Sequence, residues 1–167
     1  TVPARDGGGP NLSILLKTER LVLGDTPLQV DETAIILKPD EFEVSFDGSE
    51  MSGRVWRIGK GSLFIDLTHL VLPEGGDLLD PPDDDPLFDY DPGQLPSANI
   101  QVNQLKRGET YYQDMNIVLV SGDSRLDATT LEFTRDGQKY QGELAWVYEN
   151  GRAKSALLLR AQGAELG

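Results

Sequence analysis

The chain has 167 residues, 38% of them hydrophobic, no cysteine and a formal net charge of −13. That length suits one ordinary domain, or two small ones sharing a sheet. It excludes a disulfide scaffold or thiolate metal site for want of cysteine, and nucleic acid as a partner for want of a basic face.

In chain order, Thr1 to Pro10 reads as a linker, with Gly7-Gly8-Gly9-Pro10 stopping regular structure. Thr1 is not a Met, and the opening residues lack a signal-peptide layout, so the chain is expected to be a piece of a longer one. Leu12 to Leu16 opens the strands, and Arg20 to Leu23 continues after a kink. Thr33 to Leu37 follows, then the Pro39-Asp40 turn. Glu41 to Asp47 alternates most clearly: Phe42, Val44 and Phe46 share one face, and Glu41, Glu43, Ser45 and Asp47 the other. Glu50 to Ile58 and Ser62 to Leu72 come next, with Leu63, Ile65 and Leu67 on one face of the latter.

Residues 73–97 break the pattern. They are rich in Pro, Asp and Gly and read as an acidic, disordered loop. Eight of the 28 acidic residues fall between Glu74 and Asp91, and without them the remainder carries 20 acidic against 15 basic residues. The acidity is therefore local. Strands resume at Ala98–Leu105, Tyr111–Ser121, Arg125–Thr134, Gln138–Tyr148 and Ala153–Gln162. Ser121-Gly122-Asp123, Arg135-Asp136-Gly137 and Glu149-Asn150-Gly151 mark the turns between them. The fold class is all-β, an antiparallel meander. The modest apolar content favours a sheet greasy on one face over a thick core covered on both sides.

The strand program runs twice. Leu21 to Thr26 and Asp31 to Leu37 are echoed by Leu105 to Thr110 and Asp114 to Val120. Gly53-Arg54-Val55-Trp56 is echoed by Gly142-Glu143-Leu144-Ala145-Trp146, with Trp56 and Trp146 in matching places. Copying is how a chain extends a surface. The domain plan is a linker (1–10), a first β repeat (11–72), the loop (73–97) and a second β repeat (98–167) that stops short at its C-terminus.

Chemical motifs are absent. The aspartates of 77–91 lack the ligand spacing and Glu of a Ca²⁺ loop, so no metal is expected. Gly59-Lys60-Gly61-Ser62 lacks the spacing of a phosphate loop and reads as a hairpin turn. His69, the one histidine, has no companion and reads as a strand-surface residue. No nucleophile–base pair is visible, so the chain is expected not to be an enzyme and to use no cofactor.

The order of motifs carries a resemblance. Trp56-Arg57-Ile58 leads into Leu63-Phe64-Ile65-Asp66-Leu67-Thr68-His69-Leu70-Val71-Leu72-Pro73. The acidic gap follows, then Asp91-Pro92-Gly93-Gln94-Leu95-Pro96, Gly142 to Trp146, and Leu157-Leu158-Leu159-Arg160. Across most of residues 12–167 this resembles the periplasmic repeat region of the AsmA-like family of Gram-negative envelope proteins, the YhdP branch in particular. The second repeat departs from it by one residue, Ala145 between Leu144 and Trp146. The family's membrane helix and its other repeats are not in this sequence.

The resemblance implies a periplasmic location in a parent anchored in the inner membrane. It implies a long, curved sheet with an apolar inner groove that conducts phospholipid toward the outer membrane. The implied partners are phospholipid acyl chains and neighbouring repeats of the parent, with membrane contact only through parts missing here. The residues suited to line the groove are Phe42, Val44, Phe46, Leu63, Ile65, Leu67, Ile100, Val102, Ile117, Leu119, Leu144 and Trp146. The alternative is a non-enzymatic β-sandwich binding or adhesion module, with surface Tyr111, Tyr112 and Tyr148 as contacts.

Overall fold

The computed structural model describes residues 11–17, 20–23, 26–74 and 90–162. The expected linker, most of the acidic loop and the last five residues lie outside them.

The first part of the chain forms β1 (Leu12–Lys17), β2 (Leu21–Leu23), β3 (Thr26–Leu28), β4 (Glu32–Lys38), β5 (Glu41–Asp47), β6 (Met51–Ile58) and β7 (Leu63–Leu72). A 3-10 turn, Pro92–Gln94, precedes β8 (Ala98–Arg107), β9 (Thr110–Gly122), β10 (Arg125–Arg135), β11 (Gln138–Glu149) and β12 (Arg152–Gln162). Ten strands make one open sheet in the order β1-β4-β5-β6-β7-β8-β9-β10-β11-β12. The chain is thus all-β, a mostly antiparallel meander not closed into a barrel.

The hairpins follow from local chemistry. Asp136-Gly137 and Asn150-Gly151 hold positive φ at both positions, between the closing pairs Arg135↔Gln138 and Glu149↔Arg152. Two left-handed residues match the twist of the flanking strands, and Asp, Asn and Gly tolerate that region best.

Three features differ from the sequence expectation. Residues 20–23 do not continue the first strand within the sheet. They form β2, which pairs only with β3 as a separate two-stranded hairpin. The pair β7–β8 is parallel, because the connection 73–97 returns the chain to the starting end of β7 before β8 begins. Residues 90–97, expected within a disordered loop, are ordered: Asp91 accepts from the Gly93 amide at 2.9 Å and from Ser124 Oγ at 3.2 Å, and Ser97 Oγ accepts from the Ser121 amide at 3.0 Å.

The hairpin builds the core. Leu28 (1% exposed) and Val30 (0%) pack on Met51, Leu67 and Val102, with Phe46, Ile65, Leu70, Ile100, Leu105 and Met115 around them. Residues 29–31 are stitched to the β5–β6 turn: Asp31 N donates to Asp47 O, Glu50 N to Gln29 O, and Gln29 N to the Glu50 carboxylate at 2.6 Å. His69 Nε2 lies 3.0 Å from Gly48 O in the same knot, so the lone histidine serves as a strut.

Candidate functional site

Register decides what each face presents, because partners across a ladder share a face. One unbroken row crosses every strand of the sheet: Ile14, Ile35, Val44, Val55, Ile65, Ile100, Ile117, Leu131, Gly142 and Leu159. At about 4.8 Å per strand it runs roughly 43 Å. A flanking row adds Leu63, Ala98, Leu119, Ala128, Leu144 and Leu157. A second adds Leu16, Thr33, Phe46, Gly53, Leu67, Val102 and Met115.

The other face is polar along the same line. Ser45, Arg54, Asp66, Gln101, Asn116, Glu132, Gln141 and Arg160 are successive partners there. Gln162 donates to Gln141, and Gln141 to Glu132, at 3.1 and 3.0 Å. Two clefts, of about 240 and 520 Å³, lie against β10–β12 among Asp127, Glu132, Gln141, Glu143, Leu158 and Arg160. They accompany a register shift in β10 between Ala128 and Leu131, and such bulges bend a strand.

All the candidate groove residues fall on the apolar face, and their surroundings divide them. Leu67 and Val102 are buried under the β2–β3 hairpin. Phe46, Ile65 and Ile100 pack against that core. Phe42, Val44, Leu63, Ile117, Leu119, Leu144 and Trp146 are half-buried. The apolar face is therefore partly covered, at one end of the strands by the hairpin. At the other end lie residues 90–97: Pro92 is buried, and the Tyr90 ring stands 6.4 Å from that of Trp146. The central row runs between these two covers.

Sequence reasoning missed both covers. Asp91-Pro92-Gly93 was a usable signal, since Asp before Pro-Gly is turn chemistry. It also placed the two tryptophans alike. Trp146 lies on the apolar face with Leu144, whereas Trp56 lies on the polar face, stacked on Phe64 at 5.2 Å with Arg54 over its ring at 4.3 Å. The extra residue Ala145 shifts the count by one, and a shift of one reverses the face. The paired glycines do correspond. A Cβ on Gly53 would meet Asp66 O at 2.3 Å, and one on Gly142 would meet Leu158 O at 2.4 Å. Each lets a neighbouring backbone approach.

No protein-family model matches the chain, and neither a curated protein nor a solved structure does. Function is therefore read from the chain's own geometry. Among the described residues, no three acidic or histidine side chains converge as metal ligands, and no helix is long and apolar enough to cross a membrane.

Proposed function

We propose that this chain is a segment of a longer AsmA-like envelope protein, anchored in the inner membrane, whose apolar sheet face shields phospholipid acyl chains across the periplasm. The row from Ile14 to Leu159, aliphatic on every strand except β11, where Gly142 stands, carries the proposal. Most of that row is half-buried rather than sealed, and among the described residues the covers that flank it are a two-stranded hairpin and a turn. A β-sandwich module would need a broad second sheet facing the first.

Water imposes about 0.8 kcal/mol on each exposed CH₂, so a chain of roughly 16 carbons carries on the order of 13 kcal/mol. A continuous apolar strip removes most of that penalty at every point along its length, which is the need of a conduit. Further repeats of the parent would extend the strip from β1, where Leu12 and Leu16 are 50% and 41% exposed. The work is distributed over a face, so no catalytic residue is required.

The test is native mass spectrometry of the chain purified from an envelope fraction, beside an Ile117→Asp variant. The wild type should retain phospholipid. The variant should fold, because position 117 is half-buried, and should lose the lipid. A wild type free of lipid, or equal retention by both, contradicts the proposal.

A further inference from the structure

Charge is unevenly divided between the two faces of β4 to β7. Every carboxylate of these strands, Glu32, Glu41, Glu43, Asp47 and Asp66, lies on the polar face. Arg57 lies on the other. It is the cross-strand partner of Phe42, and it is the one charged side chain on the apolar face of β4, β5 and β6. A chain with a net charge of −13 thus sets a cation on its apolar strip.

That cation is half-buried and has no carboxylate partner. Its Nε donates to Gly61 O at 2.9 Å, which holds the side chain at the β6–β7 turn. The ion pairs among the described residues engage Lys38, Arg125, Arg135 and Lys154 instead. A cleft of about 290 Å³ opens beside Arg57, between the β4–β5 and β6–β7 turns. Leu37, 40% exposed, and Phe42 give it an apolar wall, and Lys60 adds a second cation. Of its other charges, Glu41 is held by Lys38 at 3.0 Å, which leaves Asp40 as the one unpaired carboxylate against two unpaired cations. The whole cleft comes from residues 37–60 on interior strands, so neither edge of the sheet enters it.

The cleft adjoins the central row. Leu37, Phe42 and Arg57 are successive partners, and the next apolar row inward is Ile35, Val44 and Val55. Two residues of strand, about 7 Å, separate the rows.

We infer that this cleft seats the phosphate of an anionic lipid headgroup on Arg57 and Lys60, while the acyl tail lies on the aliphatic row beside it. The inference rests on the acyl-shielding reading and adds a choice of headgroup to it. A guanidinium presents paired N–H donors that match phosphate oxygens, and a half-buried one is screened less than an exposed one. A zwitterionic headgroup brings its own ammonium to its phosphate and gains less from the contact. The favoured headgroup is therefore one that carries net negative charge.

The test is native mass spectrometry of the full chain after incubation with vesicles of equimolar phosphatidylglycerol and phosphatidylcholine of identical acyl chains. The wild type should retain phosphatidylglycerol about fivefold over phosphatidylcholine, the order expected of one charge-assisted contact at a half-exposed site. Arg57→Gln should retain as much lipid in total and lose the preference, with an unchanged far-ultraviolet spectrum. Arg57→Lys, which keeps the charge and loses the Nε bond to Gly61, should keep the preference. Arg54→Gln removes the same charge from the polar face of the same strand and should leave the preference intact. Lipid bound without preference, or equal losses in Arg54→Gln and Arg57→Gln, overturns the inference while leaving acyl shielding in place. Arg57-dependent binding of inorganic phosphate with no preference between the lipids gives the seat to a free anion and overturns it too. A chain that binds neither lipid overturns both readings.

Discussion

Single residues fix this fold where backbones meet closely. Gly48 is one such place: an added Cβ would fall 2.6 Å from both Gln29 O and Val30 Cα. Neither is the end of a flexible side chain, so Gly48→Ala should destabilise by about 1–3 kcal/mol, the usual range for overpacking, as read from urea midpoints. Gly53→Ala should cost at least as much. Its φ is +145° and its Cβ would sit 2.6 Å from Leu67 Cα, so strain adds to the clash. At the surface, the hydrogen bond from Arg125 holds the Asp127 carboxyl below its ordinary value of 3.8. A lowered folded value means the pair stabilises above pH 3.8 and loses that contribution as pH falls below it. Asp127→Asn should therefore fall slightly below the wild type in urea midpoint at pH 7, and the gap should narrow as the pH is lowered below 3.8. The difference should be small, because the pair is solvent-screened.

Elements divide between those the sequence announces and those it conceals. β5 was legible because Phe42, Val44 and Phe46 alternate with Glu41, Glu43, Ser45 and Asp47 through seven residues. The turns at Asp136-Gly137 and Asn150-Gly151 were legible because few dipeptides suit two left-handed positions. β2 and β3 were not, since each is three residues long and a period of two cannot declare itself over so short a run. Yet this hairpin leads into the most buried side chains of the core, Leu28 and Val30. Leu28→Ala should cost about 2–5 kcal/mol in chemical denaturation, as for other buried leucines. Val120→Ala, at a position 46% exposed, should stay within about 0.5 kcal/mol. Similar losses at both positions would mean that the hairpin is no anchor. The groove candidates shared this partial legibility. Alternation assigned them all to one face, but which of them are covered depends on the hairpin and on the turn at 92–94, and both arrive from outside the strands concerned.

At the scale of the whole molecule, the sheet separates two chemistries by about the thickness of a backbone. Ile117 and Asn116 are neighbours in one strand and belong to opposite faces, as do Val44 and Glu43. The apparent repeat is looser than its sequence suggests. Leu21–Leu23 and Thr26 belong to the hairpin over the sheet, while the echo Leu105 to Thr110 closes the β8–β9 turn inside it. What persists through both halves is the aliphatic row, and the proposed function rests on it. The most direct measurement places a photoreactive amino acid at each of these four positions and irradiates the chain in its native envelope. Val44 and Ile117 should capture phospholipid, while Glu43 and Asn116 should not. Equal capture from both faces, or none from Val44 and Ile117, would contradict the account.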